Sequence, residues 1–290
     1  MPHTKVVLIT GCSSGFGFET ALLFAQNGHQ VFAGVRNVKS DGAQELLKHA
    51  QAEKLNVTLL PLDITKQELV TKAVHQVTKK ADRIDVLINN AGFGFIGALE
   101  DFTIEEIKEQ HETNFYGTIR MIKAVTPHMR TQKTGLIINI TSINGLIPFP
   151  LYGVYSSSKF ALETVSEALR FELFPFGIKV AIVEPGGFLT KFRDKGKHPK
   201  NQSNPNSPYF KFTQQFFSRW NQFSDQKSQG ILGRLVDPKR VARLLLHISQ
   251  QKNPKLRHVI GIDAYVYLFL KQILPYSLQF KLLQKVYQWE

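Results

Sequence analysis

Seven short apolar, β-branched runs recur along the 290 residues, each parted from the next by a stretch with helical spacing. They cover 6–9, 31–35, 57–62, 86–88, 136–140, 180–183 and 259–262. Apolar residues stand at consecutive positions within them, which suits strands covered on both faces. Helical stretches lie near 16–27, 42–53, 66–79, 104–130, 154–175 and 238–250. Thr65 with Glu68, and Thr103 with Glu106, have the spacing of capping boxes. The alternation predicts a single α/β domain over 1–290: a doubly wound, mainly parallel seven-stranded sheet with helices on both faces.

Composition agrees with a substantial core, since 43% of residues are hydrophobic and 20% charged. Cys12 is the single cysteine, which rules out an intrachain disulfide and points to a reducing, cytoplasmic setting. A first strand beginning near Lys5 leaves no room for a signal peptide. No run of eighteen apolar residues predicts a spanning helix.

The net charge of +13 is gathered in the last third. The first 190 residues hold 18 Lys+Arg and 18 Asp+Glu, whereas residues 191–290 hold 18 and 5. Two readings stay open: an anionic partner, such as a phospholipid surface or an acidic ligand, or a solubilising cationic face. Nucleic acid is not expected, because no helix-turn-helix, zinc or RNA-binding signature accompanies the charge. Residues 191–230 interleave polar residues with Phe192, Tyr209, Phe210, Phe212, Phe216, Phe217, Trp220 and Phe223. So many rings suit a mobile substrate flap; a disordered insertion is the other reading. The tail 264–290 reads as a basic amphipathic helix that lies in a membrane interface, closes the substrate mouth or meets a partner subunit.

Thr10-Gly-Cys-Ser-Ser-Gly-Phe-Gly17 joins the first run to the first helix. Gly11, Gly15 and Gly17 let the backbone turn sharply and approach a pyrophosphate, and the helix N-terminus offers it free N–H groups. Phe16 shares that loop and counts among the cofactor contacts; Cys12 is read as a space-filler. At the end of the second run, where selection for NAD calls for a carboxylate, stand Gly34, Val35 and Arg36. A guanidinium pairs with a 2′-phosphate, so NADP is expected, with Ser13 and Ser14 bonding the same phosphate. An ordinary surface cation is the alternative for Arg36. Asp63, beside Ile64, is either an adenine contact or a turn carboxylate leading into the Thr65 cap. Asn89-Asn-Ala-Gly92 brings Asn90, Ala91 and Gly92 to the sheet edge.

Ser142 follows the fifth run at the carboxyl edge, where open α/β sheets bind ligands. Tyr155 and Lys159, four residues apart, share one helix face roughly 6 Å apart along the axis. Moving a hydride to a carbonyl needs an acid. Tyr155 is placed to donate the proton, Ser142 to bond the carbonyl, and Lys159 to lower the phenol pKa and hold the nicotinamide ribose. Asn114, in a long helix, is costly to bury alone, so a backbone or water partner is expected. Phe93, Phe95, Leu146-Ile-Pro-Phe-Pro150 and Phe188-Leu189 make the pocket-facing stretches apolar, which fits a lipid-like carbonyl better than a sugar.

These motifs together resemble the short-chain dehydrogenase/reductase family, with its Rossmann-type sheet. The matching residues are Thr10 to Gly17, Asn89 to Gly92, Asn114, Ser142, Tyr155/Lys159 and Pro185-Gly-Gly-Phe-Leu-Thr190. The resemblance implies a catalytic tetrad of Asn114, Ser142, Tyr155 and Lys159, with Asn114 holding a water that relays protons to Lys159. It further implies nicotinamide contacts from Pro185, Gly186 and Thr190, and homodimers or homotetramers built on the two long helices. Val35-Arg36-Asn37, Ser158-Lys-Phe-Ala-Leu-Glu163 and Pro175-Phe-Gly177 are similar to the hydroxysteroid and retinol dehydrogenase branch.

The expected activity is NADP(H)-dependent interconversion of a lipophilic ketone or aldehyde and its alcohol, without a metal. Peripheral membrane contact through the basic third is a second element of the reading. Two rivals stay open: a reductase of a fatty or acyl-thioester ketone on a phosphorylated carrier, and a non-catalytic NADPH-binding sensor or scaffold.

Overall fold

A computed structural model describes residues 4–188, 190, 196–227 and 236–287. Strands β1 (Val6–Thr10), β2 (Gln30–Val35), β3 (Val57–Pro61), β4 (Val86–Asn89), β5 (Gly135–Ile140), β6 (Ile178–Pro185) and β7 (Arg257–Ile260) form one sheet. Its order is β3-β2-β1-β4-β5-β6-β7, every pair parallel. The order reverses between β1 and β4, which opens the crevice where such sheets take ligands.

Alternate residues of one strand feed opposite cores. Val7 and Ile9 enter one cluster with Phe24 of α1 (Gly15–Gln26), Leu46 of α2 (Asp41–Ala52) and Leu245 of α8 (Lys239–Gln250). Val6 and Leu8 enter another with Val74 of α3 (Gln67–Ala81) and Val125 of α5 (Thr118–Gln132). A strand buried on both faces must be apolar throughout, which is why the runs did not alternate.

Four expectations needed correction. The helix expected over 104–130 is three pieces: α4 (Ile104–His111), a turn of π-helix (Glu112–Gly117) and α5. The Thr103–Glu106 capping box is present, but the Thr65–Glu68 one is not. Asp63 Oδ1 accepts from both Thr65 N and Thr65 Oγ1, at 3.0 and 2.8 Å, so that hydroxyl is drawn backward into a turn. The last strand ends at Ile260, because Gly261 at φ +119° turns the chain and Ile262 opens a helix. Finally, the tail is two helices, α9 (Ile262–Ile273) and α10 (Tyr276–Tyr287). Pro275 lacks an N–H, and Leu274 before it is extended at ψ 133°, which stops α9 there.

Residues 196–227 carry a short 3₁₀ turn (Lys200–Ser203) and helix α7 (Phe210–Lys227). Phe192 lies outside the described residues, as do the side chains of Trp220 and Phe223. Among the described residues no helix is long and apolar enough to cross a membrane.

Candidate active site

The crevice floor is built from β1 and its turn. Gly11 and Gly15 hold φ +74° and +59°, a region that side chains other than glycine seldom adopt. A Cβ on Gly17 would lie 2.4 Å from Gly11 O, so α1 can start that close to the turn only as glycine. Asn90 fixes the turn from β4: its Nδ2 donates to Thr10 O at 2.8 Å and to Gly11 O at 3.0 Å. Asn90 N and Ala91 N both donate to Thr10 Oγ1. Ser14 precedes α1 without capping it through its side chain, and the first turn holds no acidic residue. The helix N-terminus therefore keeps amides and positive dipole for an anion.

Around this cradle the other expected contacts sort as follows. Ser13 carries the turn over Gly42 of α2, where a Cβ would meet Ser13 O at 2.0 Å. Phe16 packs edge-on against Phe188 of the β6 turn, 5.6 Å between centroids. Thr190 rests on Gly15, with 3.4 Å from its Cβ to the place a Gly15 Cβ would take. Arg36 is exposed just past β2 and makes no ion pair among the described residues. A Cβ on Gly34 would lie 2.6 Å from Leu62 Cδ2 and 3.1 Å from Ile9 O, so β2 has no room there for a carboxylate. Asp63 bonds Thr65 in its turn through Oδ1, and the neighbouring Ile64 is buried against Gly117. Cys12 is fully buried, and burial pushes its thiol well up, in keeping with a space-filler.

The four expected catalytic residues converge at the carboxyl ends of β4 and β5. Ser142 lies just beyond β5 and caps a 3₁₀ turn (Ile143–Gly145), with Asn144 N donating to its Oγ at 3.1 Å. That bond fixes the hydroxyl and leaves its proton and a second lone pair for other partners. Tyr155 and Lys159, on α6 (Gly153–Leu173), are 6% and 5% exposed. Tyr155 is hydrogen-bonded to Ser142, and the Lys159 ammonium lies 5.9 Å from the phenol ring centre while donating to Ile140 O at 3.0 Å. Asn114 sits in the π-helical turn. Its Oδ1 accepts from Phe93 N at 3.1 Å, and its Nδ2 donates to Phe93 O at 2.9 Å and Ser158 Oγ at 3.2 Å. A Cβ on Gly92 would come within 3.0 Å of Asn114 Oδ1 and 3.7 Å of Lys159 Nζ, which ties the Asn89 to Gly92 motif to the same spot.

Electrostatics differ from the sequence expectation in one respect. Lys159 was expected to pull the phenol down. Burial dominates instead and pushes Tyr155 up to about 12, with the Ser142 hydrogen bond acting against it. Burial also pulls Lys159 down to about 8, opposed by Glu163. Asn114 has both amide hydrogens committed, so its side chain is a clamp between the π-turn and Phe93.

Over this centre lies an apolar cover. Phe216 of α7, 3% exposed, packs in one cluster with Ile96, Leu151, Tyr152 and Tyr155, with Phe149, Phe212 and Phe217 around it. The described part of 191–230 packs both on Tyr155 and within itself, where the Phe217 ring meets Phe216 at 5.5 Å and His198 at 4.7 Å. Sequence reasoning missed two features. Asp263 Oδ2 accepts from Gly187 N at 2.7 Å, clamping the turn after β6 across 76 residues, a pairing no local pattern announces. Glu163 and Glu184, both buried, share Arg257 of β7; only the four-residue step from Lys159 to Glu163 was legible beforehand.

The sequence model of the short chain dehydrogenase family matches residues 5–201. The chain is 38% identical over 257 residues to a 3-ketodihydrosphingosine reductase of Bacteroides thetaiotaomicron, covering 89% of this chain and 88% of that one. To human retinol dehydrogenase 8 it is 37% identical over 193 residues, 66% of this chain and 61% of the other. The solved structure of ElxO with NADP bound superposes with a TM-score of 0.69 at 28% identity, over 90% of this chain and 97% of that one. Crevice, buried tyrosine–lysine pair and matched sequence agree, and the chain belongs to the short-chain dehydrogenase family.

Proposed function

We propose that this oxidoreductase uses NADP(H) to interconvert a lipophilic ketone or aldehyde with its alcohol. The observation that carries the reading is the burial of Ser142, Tyr155 and Lys159 together beside the Gly11–Gly17–Asn90 cradle. The cradle fits a dinucleotide, because glycine at 11 and 17 lets the turn pack directly on Ala91 and Asn90 and brings the α1 N-terminus to the crevice, where it suits a pyrophosphate. Gly11, Ser13, Ser14, Gly15, Phe16 and Gly17 would hold the phosphates. Asp63, Ile64, Asn90, Ala91 and Gly92 would line the adenosine and ribose path, and Pro185, Gly186 and Thr190 the nicotinamide. Arg36, exposed and outside any ion pair among the described residues, would take the 2′-phosphate. NADP in the related ElxO structure supports the same choice. When bound, the dinucleotide supplies or accepts the hydride.

The chain's own residues do the rest. Ser142, held in place by Asn144 N, donates its proton to the substrate oxygen and stabilises the developing alkoxide. Tyr155 donates the proton that makes the alcohol. With its pKa near 12 the phenol stays protonated at neutral pH, and an alkoxide is a much stronger base. Lys159 holds positive charge beside the phenolate left behind, and Asn114 fixes Phe93 and Ser158 around it. The apolar cover over Tyr155 excludes water and selects an apolar substrate. The 3-ketodihydrosphingosine reductase and retinol dehydrogenase relatives carry names of lipophilic substrates.

Two further elements belong to this reading. Residues 196–227 act as the substrate flap, opening to admit the ligand to Tyr155. Helices α9 and α10 touch a membrane surface: Tyr265, Phe269, Tyr276 and Phe280 are exposed beside Lys271, Lys281 and Lys285. A homodimer or homotetramer through α4 and α6 would cover Ile104 and Phe160, both exposed. The experiment that tests the substrate class is NADPH oxidation over steroids, retinoids, long-chain ketones and sugars. Turnover confined to apolar carbonyls is expected; turnover of polar sugars alone would contradict it.

A further inference from the structure

One turn beyond Lys159 on α6 lies Glu163, 3% exposed, and a step of four places both on one helix face. The two are held at the same strand end. Lys159 Nζ donates to Ile140 O, and a Cβ on Gly145 would lie 3.0 Å from Glu163 Cγ and 3.3 Å from Lys159 O. Glu163 Oε2 accepts from Arg257 Nη1 at 2.5 Å. The same nitrogen donates to Glu184 Oε1 of β6 at 2.7 Å, and Arg257 Nη2 donates to Glu167 Oε1 at 2.6 Å. Glu184 is fully buried. Glu163 Oε1 and Glu184 Oε2 lack a well-formed hydrogen bond; the Thr141 hydroxyl donates to Val183 O at 3.1 Å and still lies near enough to favour the charged Glu163 carboxylate. Two buried carboxylates with orphaned oxygens are costly, and such groups collect where a charge is being set for chemistry.

The charged groups facing Glu163 come from three elements. Lys159 and Glu167 share α6, Glu184 is on β6, and Arg257 is on β7. The Arg170 guanidinium and the His258 ring bond elsewhere, to the Val180 and Pro254 carbonyls and to Lys255 O, while the His258 backbone favours the charged form of Glu184. Three carboxylates thus stand against one guanidinium and one ammonium.

We propose that Glu163, clamped by Arg257 and set against Glu184, is the positioning residue for Lys159: it keeps the buried side chain charged and seated on the Ile140 carbonyl, and so sets the alkaline limit of the reaction. The inference rests on the roles of Tyr155 and Lys159 given above. Burial and Glu163 push Glu184 up to about 7, and burial raises Glu163 too, while the Arg257 guanidinium draws both back toward the charged form. Glu163 in turn opposes the burial that draws the Lys159 proton off.

The test is the pH dependence of kcat for carbonyl reduction at saturating NADPH. Glu163→Gln keeps the shape and a contact with Arg257 but removes the charge. Its alkaline limb is expected to fall by about one pH unit, as when one close opposite charge is lost. Glu163→Asp, which keeps the charge but draws it back, should move it less and in the same direction. A limb left in place by Glu163→Gln in a protein with unchanged melting would overturn the proposal. Should that variant not fold, Glu163→Asp decides, and an unmoved limb overturns it. If Tyr155→Phe retains full turnover, the Tyr155 role fails first, a result distinct from either.

Discussion

Asp263 holds the turn after β6 from a helix that begins beyond β7: its carboxylate accepts from Gly187 N at 2.7 Å, and a Cβ on Gly186 would strike its Oδ1 at 2.3 Å. The start of the C-terminal helices is therefore part of the crevice wall. Asp263→Ala should raise the dissociation constant for NADPH by roughly tenfold, the worth of one hydrogen bond to a charged acceptor. Fluorescence titration of NADPH measures it. An unchanged constant would mean that the turn is held by other contacts.

Arg36 decides between the two dinucleotides. Arg36→Ala should weaken NADPH by roughly 10- to 100-fold and leave NADH nearly unaffected, since one charge-assisted contact contributes about 1.5–3 kcal/mol. Isothermal titration with both nucleotides reads the difference. Equal losses would remove the 2′-phosphate assignment.

Gly17 tests the cradle. Its missing side chain leaves Gly11 O where a Cβ would lie at 2.4 Å, and backbone cannot rotate away as a side chain can. Gly17→Ala should cost about 1–3 kcal/mol of stability and most of the NADPH affinity. Denaturant unfolding with and without NADPH separates the two losses; a variant that unfolds and binds like the parent would contradict the packing described.

Much of this was legible in the chain. The sheet could be read because double burial leaves a plain mark, consecutive apolar residues, and the glycine turn and the Tyr155/Lys159 step are short-range patterns. What escaped was long-range or competitive. Nothing near Asp263 announces Gly187, and Arg257 meets Glu163 only after β7 has joined the sheet. Thr65 had a capping sequence, but Asp63 two residues earlier was the nearer acceptor. The π-helical turn at Asn114 was hidden in an unbroken helical pattern. The phenol was expected to be drawn down because spacing reports a neighbour and not the depth of burial.

Lys159 illustrates that last point and gives a stability prediction. Its folded pKa of about 8 lies below the ordinary 10.5, so as pH falls the unfolded chain takes the proton first. Its burial therefore costs stability that is absent above the unfolded value and fully felt below about 8. Lys159→Met should abolish turnover while raising stability at pH 7 by roughly 1–3 kcal/mol, with the gain shrinking toward pH 10. Melting temperatures across that range check the sign, and a loss at pH 7 would contradict it.

The most direct measurement is Tyr155→Phe, which removes one oxygen from a buried ring and little else. NADPH titration and steady-state turnover of an apolar ketone are compared with the parent. Affinity for NADPH within about threefold and kcat lowered by at least 10²-fold, the usual worth of a positioned acid, are predicted. Turnover near the parent level would show that the proton comes from elsewhere.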